Sequence, residues 1–459
     1  MQFLAITATE IWLAVAQLIL ALAILVVLHE FGHYITARIF KCRVEKFYLF
    51  FDPWFSLVKK KIGDTVYGIG WLPLGGYVKI SGMVDESMDR EQLKLPPQPW
   101  EFRSKPAWQR LIIMLAGIVV NVLLAFIIWA FILMIWGEKK IPASSIKYGM
   151  NIQDSVLYNV AGLRNGDKIL EVDGKEVEDL QNIKKNILLG SNITIERNGE
   201  RREIKLPENL IGQLVENQNS ANGFLEPRVL PLVFDIADTA RSYKAGLRKG
   251  DMIMKVDSVT VNFYDELKNV LLTKKNKPIK LTINRAGNEQ VLDIKLDEDG
   301  RIGFVYVQDP ETLDSLHWAT FNVHKFPFFA AFPAGVRKTG EDLSFYIAQF
   351  KKILSPKTGA YKGVGGFKNI GKAFLTTKWS WEHFWRMTAL LSIILAFMNI
   401  LPIPALDGGH ALFTLIEMIT GRKPNEKFLE YAQVVGMILL LGLMLYANGN
   451  DWFGWGRGK

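Results

Sequence analysis

The chain has 459 residues, 49% hydrophobic and 22% charged, with a net charge of +9 and a mean hydropathy of +0.12. Charge and apolarity are segregated: three long runs carry no charge, and mixed polar sequence fills residues 136–386 between the second and third, which excludes both a purely soluble enzyme and an all-membrane transporter. The single cysteine, Cys42, excludes an intrachain disulfide and a cysteine zinc cage, and scattered lysines without interleaved aromatics argue for membrane-surface contact rather than nucleic acid.

The first run, Ile11–Leu28, has no basic start and no small-residue cleavage site after it, so it reads as a retained helix rather than a signal peptide. It continues into His29-Glu30-Phe31-Gly32-His33. His29 and His33 are one helical turn apart, so both imidazoles reach one tetrahedral zinc, with Glu30 beside them as a general base. Ionisable residues at the end of an apolar span are costly in a bilayer, and they mark function. The other reading is a polar pair that only holds the helix bundle together.

Residues 1–42 thus form the first transmembrane helix, and 43–105 a loop on the cytoplasmic side. Within that loop, Tyr67–Lys79 carries Gly68, Gly70, Gly75 and Gly76, which let another backbone approach, and ends at Tyr77–Lys79 with strand-like alternation. The second run, Leu111–Ile135, defines a transmembrane helix within 106–140.

The polar insert contains a repeat. Ala161–Asp173 aligns without a gap on Ala245–Asp257, 84 residues later, each copy with a Gly-Asp turn before a strand. A helix follows in each (Leu180–Leu189, Tyr264–Leu272), then β runs such as Asn192–Arg197 and Lys280–Asn284. Two tandem α+β modules are expected, at 141–212 and 213–300. The shared pattern A-G-L-x-x-G-D-x-I resembles bacterial PDZ domains, which bind peptide ends by adding a strand to a sheet edge; spacers or steric shields are the other reading. Residues 301–380 read as an amphipathic interfacial segment, with Leu343–Leu354 at helical spacing.

The third run, Met387–Leu406, and a shorter one, Ala432–Ala447, complete four spans within 381–459. Basic residues cluster after helix one (Arg38, Lys41, Arg43, Lys46), before helix two (Arg103, Lys105, Arg110) and between helices three and four (Arg422, Lys423, Lys427). Those clusters belong in the cytoplasm, which places both termini and the insert outside. A catalytic zinc takes a third protein ligand. Asn399-Ile-Leu-Pro402-Ile-Pro404-Ala-Leu-Asp407-Gly408-Gly409-His410 ends the third run, where two prolines break the helix and the freed backbone must line a polar cavity. Helices one and three run in the same direction, so both motifs reach the same membrane face. Asp407 is the expected third ligand, with His410 as a rival.

At this point the motifs carry a family resemblance. HExxH in the first helix, N-x-x-P-x-P-x-L-D-G-G in the third and two PDZ-like modules between helices two and three resemble the site-2 protease family, in its bacterial branch that contains the sigma-E regulator protease. The resemblance covers nearly the whole chain. It implies a multi-pass α-helical membrane protein of four transmembrane helices, with two inserted PDZ-like domains and a membrane-associated β-hairpin. It also implies an intramembrane zinc metalloprotease of the bacterial inner membrane, with Zn2+ on His29, His33 and Asp407, Glu30 activating water, and Asn399 contacting substrate or stabilising the transition state. Its substrates would be single-span membrane proteins such as a pre-trimmed anti-sigma factor, laid as an added strand along Gly68–Lys79. The PDZ-like domains, on the periplasmic side, would bind peptide ends and exclude bulky ectodomains. Clearance of signal-peptide remnants uses the same site. A non-proteolytic membrane anchor displaying PDZ-like modules is the reading from a different class.

Overall fold

The computed structural model describes residues 7–73, 75–83, 96–217, 224–423 and 425–456. Parts of four expected segments therefore lie outside the described residues: 1–6 of the first helix segment, 74 and 84–95 of the loop, 218–223 of the second module, and 424 and 457–459 of the last segment. The chain forms two compact units, one from residues up to 137, 325–350 and 364 onward, the other from 138–324 and 351–363.

Among the described residues, the first unit holds four helices long and apolar enough to cross a membrane: α1 (Ala8–Ile39), α2 (Ala107–Ile135), α4 (Trp381–Ile400) and α6 (Glu426–Phe453). Thr7 and Glu10 form a capping box that starts α1. The buried side of α1 runs Ala14, Gln17, Ala21, Leu25, His29, Gly32, His33, Ala37, a stripe at helical spacing that carries both histidines inward. Helix α3 (Phe328–Leu354) contains the amphipathic stretch expected from sequence.

The third apolar run is not one helix. Helix α4 stops at Ile400, Leu401–Leu406 turns, and Asp407 opens a further helix, α5 (Asp407–Thr420), that the sequence had not indicated. Proline lacks the amide that would continue the ladder, so α4 ends two residues before Pro402. A Cβ on Gly408 would lie 2.4 Å from the carbonyl oxygen of Ile400, and one on Gly409 the same distance from that of Ile403. Both glycines are therefore required for α5 to fold back against the turn.

Between α1 and α2 lies a four-stranded sheet, more than the hairpin expected there. Its strands are β1 (Val44–Leu49), β2 (Val58–Ile62), β3 (Thr65–Ile69) and β4 (Tyr77–Ile80), in the order β2-β3-β1-β4. β3 pairs antiparallel with β2 and parallel with β1, so both its edges are taken. β4 pairs only with β1 among the described residues and forms an edge. Val44 and Ile80 join Ala37, Cys42, Ile113, Met114 and Ala411 in one buried cluster, which fixes the sheet beside α1.

The second unit contains two sheets of the same topology. One has the order Glu200–Lys205, Asn192–Arg197, Lys168–Val172, Lys175–Glu176, and the other Asn288–Lys295, Pro278–Arg285, Met252–Val256, Val259–Thr260. The Gly-Asp of the repeat is structural. Asp167 is fully buried, takes two 2.7 Å bonds from Arg197 and caps the backbone N–H of Arg164; Asp251 does the same with Arg285 and Arg248. The modules are nested rather than tandem. The boundary expected at 212/213 falls inside a helix (Leu210–Glu216), and the first core takes Leu225, Val229, Val307, Leu313 and Trp318 from beyond it. The second core is confined to Val233–Ile302.

Candidate metal centre

Three elements far apart in sequence meet at the inner end of α1. His29 Nε2 and His33 Nε2 are 3.3 Å apart, and Asp407 Oδ2 lies 3.2 Å from the first and 3.3 Å from the second. Among the described residues this is the one set of three or more His, Cys, Asp or Glu side chains whose ligand atoms gather within reach of one metal ion. A tetrahedral zinc with bonds of roughly 2.0–2.1 Å requires ligand-to-ligand edges of about 3.3–3.4 Å. The triangle already has those edges. Asp407 Oδ2 is buried and makes no hydrogen bond, although both imidazoles face it. An orphaned carboxylate oxygen at the apex of two ring nitrogens is costly without a cation, so the donor set fits zinc.

The backbone explains how the triad is held. Gly32 and Gly117 bring α1 and α2 together: a Cβ on Gly32 would sit 2.7 Å from the Ala116 carbonyl oxygen, and one on Gly117 2.4 Å from His33 Nε2. His33 Nδ1 is 2.8 Å from the Ile113 carbonyl oxygen. Asp407 occupies the first turn of α5, where the helix dipole favours a carboxylate.

The other expected site residues divide into near and far. The Glu30 carboxyl meets the backbone N–H of Val78 in β4. Asn399, in the last turn of α4, places its amide nitrogen 3.4 Å from His29 Nε2. His410 lies outside the three-ligand cluster. Gly68 does not fit an exposed docking edge, because its strand is paired on both sides and its missing side chain makes room for the ring of Tyr48. A Cβ on Gly70 would strike the Phe51 carbonyl, and one on Gly75 the Phe51 ring, so these glycines serve close approach within this chain. Tyr77 opens β4 and Gly76 immediately precedes it. Gly76 lets that strand pass Val26 and Glu30 of α1, and the Tyr77 hydroxyl donates to Asp52.

Sequence reasoning missed the contribution of α2. Gly117 abuts both imidazoles, and Asn121 places Nδ2 3.1 Å from His29 Nδ1. A signal was present: Asn121 is the one amide or charged side chain in Leu111–Ile135, so the rule that singled out His29 applies to it equally.

Helices apolar enough to span a membrane, three of which (α1, α2 and α4) meet at a two-histidine, one-carboxylate cluster, define a membrane metalloenzyme. The chain belongs to peptidase family M50, whose model matches residues 17–443, and it is a zinc metalloprotease. It is similar to the regulator of sigma-E protease RseP of Escherichia coli, with 29% identity over 95% of this chain and 97% of the relative. It is also similar to the regulator of sigma E protease of Haemophilus influenzae, at 26% over 95% and 98%, and to a protein named as a zinc metalloprotease in Vibrio cholerae, at 29% over 94% and 97%. Family membership argues against the anchor without proteolytic activity.

Proposed function

We propose that this protein cleaves peptide bonds within the transmembrane segments of single-span proteins of the bacterial inner membrane, releasing an anti-sigma factor or a similar regulator. The observation that carries this reading is the convergence of His29 and His33, on a helix apolar enough to span a bilayer, with Asp407 on one point beside an edge strand, β4. His29 Nε2, His33 Nε2 and Asp407 Oδ2 would hold the zinc. When bound there, zinc supplies Lewis acidity toward a peptide carbonyl and toward water.

The chain's own groups do the remaining work. A helical substrate bond is shielded by its own hydrogen bonds, so the substrate must unwind first. An extended segment added alongside β4, which pairs with β1 among the described residues, would lie next to Glu30 through the Val78 contact. Glu30 accepts the proton of the attacking water and returns it to the leaving amine nitrogen. The Asn399 amide holds the substrate or the developing oxyanion, a role its nearness to the triad supports. The termini and the two modules of 138–324 face the periplasm, where the PDZ-like modules take peptide ends and keep out bulky ectodomains.

Glu30→Gln tests the centre. Purified Glu30→Gln should keep zinc at the wild-type ratio, cleave a single-span model substrate at least about 100-fold more slowly, and co-purify with uncut membrane proteins. Cleavage at the wild-type rate would refute the assignment.

A further inference from the structure

Helix α2 holds the two groups that face the far ring nitrogens of the histidines. Ile113, Gly117 and Asn121 recur at every fourth residue, on one face of α2. Gly117 opens that face to the imidazoles, the Ile113 carbonyl meets His33 Nδ1, and the Asn121 side chain meets His29 Nδ1.

A neutral imidazole carries one N–H, and a nitrogen that binds a metal has none. With both Nε2 atoms turned to Asp407 Oδ2, each Nδ1 must hold the proton and donate it. His33 donates to a carbonyl, which accepts without ambiguity. At His29 the placed orientation sets an amide NH2 against a ring N–H, two donors facing each other at 3.1 Å. Asn121 is fully buried, and its Oδ1 has no hydrogen bond, so no other contact fixes which end of the amide faces the ring. An amide's oxygen and nitrogen are alike in shape, and its orientation follows from its partners. Rotating this amide half a turn gives Nδ1–H an acceptor. The residue's own position is fixed independently, because Ser392 Oγ of α4 donates to the Asn121 backbone carbonyl at 2.7 Å.

We propose that Asn121 is a positioning residue for zinc: its Oδ1 accepts from His29 Nδ1–H and holds His29 in the tautomer that presents Nε2 to the metal. It acts through His29 and touches neither substrate nor metal. This rests on His29, His33 and Asp407 being the zinc ligands. Outer-shell partners of this kind change metal affinity by roughly 10–100-fold.

The test uses the full chain purified in detergent, with zinc affinity read by competition against chelators of graded strength, and the visible spectrum of the cobalt-loaded protein as a second readout. Asn121→Leu keeps the branching and the number of heavy atoms and removes the acceptor; Asn121→Asp keeps the acceptor and removes the donor. Asn121→Leu should bind zinc about 10–100-fold more weakly and shift the cobalt spectrum, while Asn121→Asp stays within about threefold of wild type or binds more tightly. The metal-free melting temperature of Asn121→Leu reports whether the fold survives. If it does not, Asn121→Asp alone decides, since a donor role for the amide predicts loss in that variant and an acceptor role predicts retention. Wild-type affinity in Asn121→Leu, or equal loss in both variants, overturns the proposal. A wild-type chain that binds no zinc, or a His29→Ala chain that binds it undiminished, would instead overturn the ligand set on which the proposal rests.

Discussion

Gly117→Ala offers a sharp test of how the metal centre is built, because it adds one methyl and removes no functional group. The added carbon would lie 2.4 Å from His33 Nε2, 2.7 Å from His29 Cε1 and 2.9 Å from His29 Nδ1. Ordinary contact begins near 3.4 Å, so the imidazoles or the helix must move by about 1 Å. Metal–ligand distances tolerate only about 0.2 Å. The helix itself gains from the change, since alanine is favoured over glycine by roughly 1 kcal/mol at an interior position. Stability and function should therefore separate. Overpacking costs about 1–3 kcal/mol and offsets that gain, so the expected result is a melting temperature of the metal-free protein lowered by no more than a few degrees, zinc content well below one per chain, and cleavage slowed about 100-fold or more. Zinc measured by emission spectrometry, beside cleavage of a detergent-solubilised single-span substrate, checks both. Full zinc occupancy with wild-type turnover would show that α1 and α2 do not meet in the tight register that seats the imidazoles.

Gly409→Ala should lose zinc by a different route, since its Cβ would meet the Ile403 carbonyl at 2.4 Å and push Asp407 away from the histidines; zinc retained at the wild-type ratio refutes this. Arg197→Ala leaves the buried Asp167 carboxylate unpaired and should cost about 3–5 kcal/mol within the first module, read as faster hydrogen exchange at Lys168–Val172. Tyr264 and Tyr306 stack at 3.7 Å, and burial, reinforced by the neighbouring charge, raises both phenols above their usual value near 10, that of Tyr306 to about 12. The fold therefore favours their protonated forms: the stability they contribute is complete below pH 10 and is lost as pH rises through 10 toward 12. Phenolate absorbance near pH 11 should fall short of the full tyrosine count until the second unit unfolds; immediate ionisation of all tyrosines refutes it. At the acid end, the Lys274 ammonium and the Lys280 N–H hold the Asp257 carboxyl below its usual value, so its small contribution is present above about pH 4 and fades on acidification. Lys274→Met should shrink that dependence to the part the Lys280 N–H maintains, read in a carboxylate titration followed by NMR; an unchanged titration refutes it.

Much of this protein was legible from the sequence alone, for reasons that are local. Unbroken apolar runs state where spans lie, because a bilayer core tolerates almost nothing else. Histidines four residues apart state a shared face, because helical geometry fixes it. A Gly-Asp repeated at constant offset states a duplicated module, and the helices Leu180–Leu189 and Tyr264–Leu272 begin and end where the sequence placed them. The tertiary structure decided what depends on long-range contact. The break at Pro402 was readable, but the new helix beginning at Asp407 depends on two glycines meeting the carbonyls of Ile400 and Ile403. A segment that reads as a hairpin became half of a four-stranded sheet, because β1 arrives from upstream to pair with both β3 and β4. The first module closes its core with Val307 and Trp318, from beyond the second, a choice made by packing that no local pattern records. The inward face of α2 is the clearest case. Hydropathy marks Leu111–Ile135 as a span and says nothing of which side meets the histidines; only packing against α1 assigns Ile113, Gly117 and Asn121 to the metal centre.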